Sequence, residues 1–288
     1  MAADTPPERG ARRPRLAVLI PVFNRQRGLE RTLHSLRDDG ASFDVIVVDD
    51  GSDPPLRVPD DLPFTVTLIR LARNRGIAAA LNTGLERITA AGYEYIARLD
   101  AGDLSLPGRF AAQMAFLDWH PDHAVVGTQV KFMDPGGKLL FCSRAPTRHE
   151  EIIRSQRYKS CFAHPSVMMR TSALVKSGFY SERYPGSEDY ELFMRLAKTY
   201  KLGNLDKVYL EYEVSPDSLS SRKFRHGLGR LLVLIRYFSP FSVHAYLGIF
   251  RNIIALFVPR QVSLGLRRAH AWWSSARRPA LEDDPGRS

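Results

Sequence analysis

Short apolar runs separated by helix-period stretches fill the first third of the chain. Leu16 to Ile20 is continuously apolar and closes in Pro21-Val-Phe-Asn-Arg25. Asp44-Val-Ile-Val-Val48 is a second run, ending in Asp49-Asp50-Gly51-Ser52. Phe64 to Leu71 is a third, and Tyr95 to Leu99 a fourth, ending in Asp100-Ala-Gly-Asp103. Runs this short, bounded by turn residues, predict strands of a buried parallel sheet. Between the first two, Leu29, Leu33 and Leu36 recur at i, i+4, i+7 and predict a helix. Between the last two, Gly76 to Ala90 carries Ile77, Leu81, Leu85 and Ile88 on one helical face. Pro54, Pro55, Pro59 and Pro63 punctuate a long loop.

Strand, helix, strand, strand, helix, strand predicts an α/β fold with a mostly parallel, Rossmann-like sheet flanked by helices. In such sheets ligands lie beyond the carboxyl ends of the strands. Three of the four runs end in polar sequences, which are expected side by side on one rim. Farther on, Phe110, Met114 and Leu117 predict a helix. Ala124 to Met133 and Lys138 to Cys142 flank the hairpin turn Asp134-Pro-Gly-Gly137. His164-Pro-Ser-Val-Met-Met169 reads as a strand, and Glu188 to Arg195 as a helix with acidic residues in its first turn, as the helix dipole favours. Val208 to Tyr212 is expected to be the last strand of the body.

Charge divides the chain. The formal net charge is +10 over 288 residues. From Ser218 to Leu281 there is no Asp or Glu, while eleven Lys and Arg residues occur. Subtracting those eleven leaves about −1 for everything else, so the body is near neutral and the basicity belongs to the tail. A nucleic-acid binder would carry basic and aromatic residues on its body, so no nucleic-acid partner is expected. Cys142 and Cys161 make neither a disulfide framework nor a zinc site, which suits a reducing cytoplasm. Residues 1–15 are polar and lack the apolar core of a signal peptide, and they are expected to be disordered, as are 279–288. The body is expected over 16–221 and a basic amphipathic helical tail over 222–278.

Chemistry concentrates at the strand ends. Asp100 and Asp103 are carboxylates three residues apart after a buried strand. Such oxygens suit a hard divalent cation that shares its ligands with substrate phosphates. Asp and Gly are also ordinary turn residues. A dinucleotide-binding oxidoreductase would need Gly-x-Gly-x-x-Gly after the first strand, and residues 21–28 do not contain it.

Six segments, in order, resemble the family 2 glycosyltransferases of bacterial surface-polysaccharide synthesis, which have the A-type nucleotide-sugar transferase fold. They are Pro21-Val-Phe-Asn24, Val47-Val-Asp-Asp-Gly-Ser52, Asn74-Arg-Gly-Ile-Ala-Ala-Ala-Leu-Asn82, Leu99-Asp-Ala-Gly-Asp103 with Leu106-Pro107, His164-Pro-Ser-Val-Met168 and Glu188-Asp189. The resemblance covers about Leu16 to Ser221. It departs at Gly102, where the family's metal motif often has a further Asp, and that leaves open which carboxylate does what.

The resemblance implies one inverting displacement, without a covalent intermediate. The sugar moves from a nucleoside-diphosphate donor, with UDP as the default, to a hydroxyl of a glycan or lipid-linked glycan. It implies Mn²⁺ or Mg²⁺ as cofactor, with Asp103 as direct ligand and Asp100 on the ribose or on the metal through water. Pro21, Phe23, Asn24, Asp50 and Arg75 fall in nucleotide-contacting segments: Phe23 as an apolar wall, Asp50 as acceptor from the uracil imide, Arg75 on phosphate or simply in solvent. Asp49 holds its loop. Asp189 matches the general base, and Glu188 orients it or touches the acceptor. His164 lines the acceptor site, contacts the pyrophosphate or is structural. A non-catalytic nucleotide-sugar-binding scaffold or sensor is the alternative, and the intact Asp50, Asp103 and Asp189 argue against it.

The tail carries three apolar segments: Phe224 to Ser239, Phe241 to Val258, and Arg260 to Arg278 with Trp272 and Trp273. The middle one is eighteen residues long and contains Arg251, so it is short for a span of about 20 residues and carries a charge that hydrocarbon disfavours. Basic helices with aromatic anchors suit an anionic membrane surface, on the inner face of the cytoplasmic membrane. Packing on the body and dimerisation are the alternatives, and the oligomeric state is not legible.

Overall fold

The computed structural model describes residues 14–214 and 223–257. Its centre is β1 (Leu16–Val22), in which all seven residues are buried. Flanking it are β2 (Phe43–Asp49), β3 (Val66–Arg70) and β4 (Tyr95–Arg98). These four strands pair in the order β3-β2-β1-β4, all parallel. Successive side chains leave β1 on opposite faces, as the pleat requires. Leu16, Val18 and Ile20 pack with Leu29, Leu33 and Leu36 of and just after α1 (Gln26–Ser35). Ala17 and Leu19 pack with Leu81, Leu85 and Ile88 of α2 (Ile77–Ala90). Two helix layers on one parallel sheet explain why these strands read as unbroken apolar runs.

Beyond β4 the sheet becomes mixed. Further elements are β5 (Leu104–Ser105), α3 (Arg109–Trp119), β6 (His123–Met133), β7 (Leu139–Cys142), α4 (His149–Gln156), β8 (Met168–Arg170), α5 (Thr171–Ser177), α6 (Glu188–Leu196) and β9 (Lys201–Glu213). The described strands form one nine-stranded sheet in the order β3-β2-β1-β4-β8-β6-β9-β5, with β7 on β6. β8 runs antiparallel to both β4 and β6, and β9 runs parallel to β6. The expected parallel strands are therefore one half of a mixed sheet. The last strand of the body begins at Lys201, seven residues before the expected start.

The segment expected as a strand from His164 is instead a 3-10 turn, His164–Ser166, followed by β8. Pro165 lacks a ladder donor and fixes φ, so it belongs in a turn. The turn's carbonyls are satisfied from α3: Arg109 donates to Pro165 O at 2.9 Å and Gln113 to Ser166 O at 2.9 Å. Arg15, the last residue of the stretch expected to be disordered, is held by Glu94 and Asp118, both at 2.7 Å. The tail supplies α7 (Lys223–Arg236) and α8 (Val243–Phe257), and the third apolar segment, from Arg260, lies outside the described residues.

Candidate active site

The carboxyl ends of β1, β2 and β4 meet on one rim. Val22 lies level with Asp49 in the β1–β2 pair, and Leu19 with Arg98 in the β1–β4 pair. The loop after β1 is tied to the loop after β2. Asn24 takes a left-handed φ of 50°, its N–H donates to Ser52 Oγ at 2.9 Å, and its Oδ1 accepts from Asp53 N–H at 2.9 Å. Asp49 accepts from Ser52 N–H at 2.8 Å and so holds its own loop. Asp50 Oδ1 accepts from Arg75 N–H at 2.7 Å and Oδ2 from Gly76 N–H at 2.9 Å. In this state Asp50 fixes the turn that opens α2; each oxygen keeps a second lone pair, so a base contact stays chemically open. Pro21 is buried inside β1, whereas Phe23 and the Arg75 side chain are exposed at the rim, Phe23 by 45%.

The Asp100–Asp103 loop carries the two carboxylates in different settings. Asp100 Oδ1 accepts from Arg98 Nη2 at 2.5 Å, and its side chain is 36% exposed. Asp103 is buried; its Oδ1 accepts from Glu213 N–H at 3.1 Å, and its Oδ2 has no protein partner. Burial, then the charge of Asp100, holds the Asp103 carboxyl well above the usual range, against Glu213 N–H and the charges of Arg25 and Arg98. Among the described residues no three His, Cys, Asp or Glu side chains converge to cage an ion. Two carboxylates with one bare buried oxygen nevertheless fit Mg²⁺ or Mn²⁺, which are commonly held by one or two carboxylates plus substrate phosphates.

Gly102 has a physical reason to stand where the family pattern often has Asp. Its φ is +105°, and a Cβ there would lie 2.6 Å from Arg25 Nη2. The Arg25 guanidinium is itself held by Glu213 at 2.6 Å. Gly102→Ala is expected to lower folding stability by about 1–3 kcal/mol through the disfavoured backbone region and the lost space. A denaturant midpoint equal to wild type would show that Arg25 moves aside freely.

On the other side of the rim, Glu188 and Asp189 open α6. Glu188 is buried, and its Oε2 has no partner. Burial first, and the Asp189 charge second, push the Glu188 carboxyl up to about 7. Asp189 is half-buried and also raised, chiefly by burial, while its Oδ1 accepts from Tyr190 N–H at 2.7 Å. His164 Nε2 meets Tyr180 Oη at 2.8 Å, and burial, then the Arg98 charge, holds the imidazole well below its usual range and so neutral.

Arg98 is the candidate site residue that motif reasoning missed. Its side chain is 2% exposed at the end of β4, bonded to Asp100 and to Leu99 O, with Nε unpartnered. Its charge acts on Asp103 in one half of the site and on His164, Glu188 and Asp189 in the other. The signal was a single cation within the apolar run Tyr95 to Leu99, next to two carboxylates. Arg98→Met removes a charge that lowers Glu188 and Asp189, so the acid limb of the pH–rate profile is expected to move to higher pH. Arg98→Lys is expected to restore most of the limb. An unmoved limb in Arg98→Met would reduce Arg98 to a packing role.

Residues 17–179, which hold the motifs up to His164, match the family model for glycosyl transferase family 2. The chain belongs to that family. It is 30% identical to the amylovoran biosynthesis glycosyltransferase AmsE of Erwinia amylovora over 72% of this chain and 79% of that one. It is 25% identical to the UDP-Gal:alpha-D-GlcNAc-diphosphoundecaprenol beta-1,3-galactosyltransferase of Escherichia coli, over 73% of this chain and 78% of that one. Among solved structures it resembles the mannosyltransferase PcManGT of Pyrobaculum calidifontis in complex with GDP-Man and Mn²⁺, with a TM-score of 0.58 and 18% identity over 94% of this chain and 77% of that one. The chain is thus a glycosyltransferase of the A-type fold, with relatives in bacterial polysaccharide synthesis.

Proposed function

We propose that this glycosyltransferase moves a sugar from a UDP-sugar to a hydroxyl of a lipid-linked glycan, in one inverting displacement, during surface-polysaccharide synthesis. It works in the cytoplasm, at the inner face of the cytoplasmic membrane. The observation that carries the reading is the pairing across one rim of two carboxylate centres, Asp100–Asp103 and Glu188–Asp189, with Arg98 acting on both. Phe23 walls the base, and Asp50, Asn24 and Pro21 shape the loops around it. Arg75 lies at the start of α2 for phosphate. Mn²⁺ or Mg²⁺, held by Asp103 with Asp100, would neutralise charge on the departing diphosphate.

The acceptor hydroxyl loses its proton to Asp189, oriented by Glu188. A positioned base of this kind is worth about 10²–10⁴-fold. His164, neutral and held by Tyr180, lines the acceptor side. Inversion is what the family resemblance implies, and accordingly one base is assigned to the acceptor and no carboxylate as a nucleophile. The E. coli relative's name, with UDP-Gal and a diphosphoundecaprenol-linked acceptor, supports the donor and acceptor classes.

A thermal-shift panel of UDP, GDP, CDP and dTDP sugars with Mn²⁺ tests the donor. A ligand at about 100 Kd stabilises by about 2.7 kcal/mol, which such an assay resolves. The UDP-sugar is expected to give the largest shift. A larger shift from a GDP-sugar would replace the donor assignment. Binding of a donor with no nucleotide release in any acceptor mixture would favour the scaffold or sensor.

A further inference from the structure

Helix α8 is amphipathic with its apolar side turned outward. The fully buried residues of α8 are small or polar, with Ile249 half-buried against the Tyr190, Val233 and Leu234 cluster. Ala245, Gly248 and Asn252 are buried, and Asn252 Nδ2 bonds back to Gly248 O at 2.8 Å. A Cβ on Gly248 would lie 2.2 Å from Arg157 O, so the glycine is what lets the helix sit against the body. The residues that face away are large. Val243, Tyr246, Leu247, Phe250, Ile253 and Ile254 are 41–70% exposed at helical spacing. α7 also exposes large apolar side chains, Leu228, Leu232 and Ile235, although its buried residues Val233 and Leu234 are apolar too and pack with Tyr190. Phe241, between the helices, is 98% exposed. Of sixteen large apolar side chains exposed among the described residues, ten lie between 228 and 254. A water-facing helix would carry the reverse pattern, and a concentration of exposed apolar side chains of this kind marks a contact surface.

Charge identifies the occupant. No acidic residue occurs from 218 to 281, and eleven basic residues do. A second copy would bring two basic tails together, whereas an anionic lipid surface would complement the tail's charge. Length fixes the mode. The fifteen residues of α8 span about 22 Å, short of a hydrocarbon core of about 30 Å. No described helix is long and apolar enough to cross a membrane.

We propose that the outward face of the α7–α8 hairpin lies in the interface of an anionic lipid membrane, and that it brings the acceptor end of the active site to the lipid surface. The second clause rests on the glycosyltransferase reading. The hairpin is fastened to α6, the helix that starts with Glu188 and Asp189. Tyr237 Oη donates to Glu191 at 2.7 Å, and the Arg230 guanidinium lies 5.8 Å from the Tyr190 ring centroid. A Cβ on Gly229 would meet Pro185 O at 2.8 Å, two residues before the α6 N-cap Ser187. The helix carrying the general base is thereby a direct neighbour of the membrane-facing element. An acceptor whose carrier stays in the bilayer reaches the base without leaving the surface.

The test is flotation of the full chain with vesicles of phosphatidylglycerol and phosphatidylethanolamine, and with vesicles of phosphatidylcholine alone. Wild type is expected to float with the anionic vesicles and less with the neutral ones. High salt weakens it, since the screening length falls from about 10 Å at 0.1 M to about 3 Å at 1 M. Leu247→Glu with Phe250→Glu alters side chains that are already exposed, and is expected to reduce flotation about tenfold or more. The same variant is expected to keep its melting temperature and its thermal shift with UDP-sugar. Flotation of the double variant equal to wild type overturns the proposal. So does a wild-type dimer that the variant converts to monomer with no vesicle binding, which would make the face a self-interface. Loss of every nucleotide shift with flotation intact would sink the donor reading and leave the membrane face standing.

Discussion

Asp189→Asn is expected to bind donor almost as wild type does and to turn over about 100-fold more slowly or worse. The amide keeps the shape of the carboxylate and can still accept the Tyr190 N–H that Asp189 Oδ1 accepts at 2.7 Å, so α6 keeps its start. What is lost is basicity toward the acceptor hydroxyl. The pH profile gives a second readout. Burial raises both Glu188 and Asp189, and the Asp189 charge raises Glu188 further. The pair therefore loses its protons as a unit over a range that reaches about 7, and wild-type turnover falls as pH drops through it. Removing the Asp189 charge lowers Glu188, so the residual activity of the variant is expected to carry its acid limb at lower pH. Turnover and donor affinity would be measured on the same preparation across pH 5–9, a span of about two units on either side of neutral. Normal turnover in Asp189→Asn would pass the base assignment to Glu188 or His164.

The half of the fold that was legible is the half whose physics is local. β1 and β2 are buried on both faces and read as apolar runs, and α1 and α2 show one apolar stripe each because each covers one face of the sheet. Strand direction is another matter. Nothing in the run at 123–133 distinguishes a strand that pairs antiparallel with β8 from one that pairs parallel with β9, and β6 does both. Helices α4 and α5 have eight and seven residues, about two turns each, so their period repeats at most twice. The stretch from His164 looked apolar enough for a strand, but Pro165 and the α3 donors Arg109 and Gln113 made its first part a turn.

At the site, motifs located the rim and contacts decided what each side chain does there. Asn24, Asp49 and Asp50 are spent in this state on backbone N–H groups of their own or neighbouring loops, which a motif cannot reveal because the same residue types cap turns and bind ligands. Arg98 was visible as a cation out of place in a buried strand, yet its reach to both carboxylate centres needed the fold. In the tail the sequence carried apolarity and charge together. The packing of Ala245, Gly248 and Asn252 against the body tells which side of α8 faces out.

Asp103→Asn is expected to abolish Mn²⁺-dependent transfer while leaving the protein folded. Asp103 is the buried member of the loop, with one oxygen held by Glu213 N–H at 3.1 Å and the other without a protein partner. A bare carboxylate oxygen in a buried position is costly unless something charged or hydrogen-bonding meets it. A divalent ion shared with the donor's phosphates is the partner whose chemistry matches. In the variant the amide oxygen still accepts from Glu213 N–H, and the neutral amide nitrogen takes the orphan position. Burial cost falls, so the denaturant midpoint is expected to stay level or rise. Metal binding falls with the lost charge: the thermal shift given by UDP with Mn²⁺ should shrink to that given by UDP with EDTA. The comparison separates the role of Asp103 from a general loss of structure, because stability holds or rises while metal-linked nucleotide binding falls. Near-normal turnover with unchanged metal dependence would take the ligand role from Asp103. Asp100, half-exposed and paired with Arg98, would then be the carboxylate to change next.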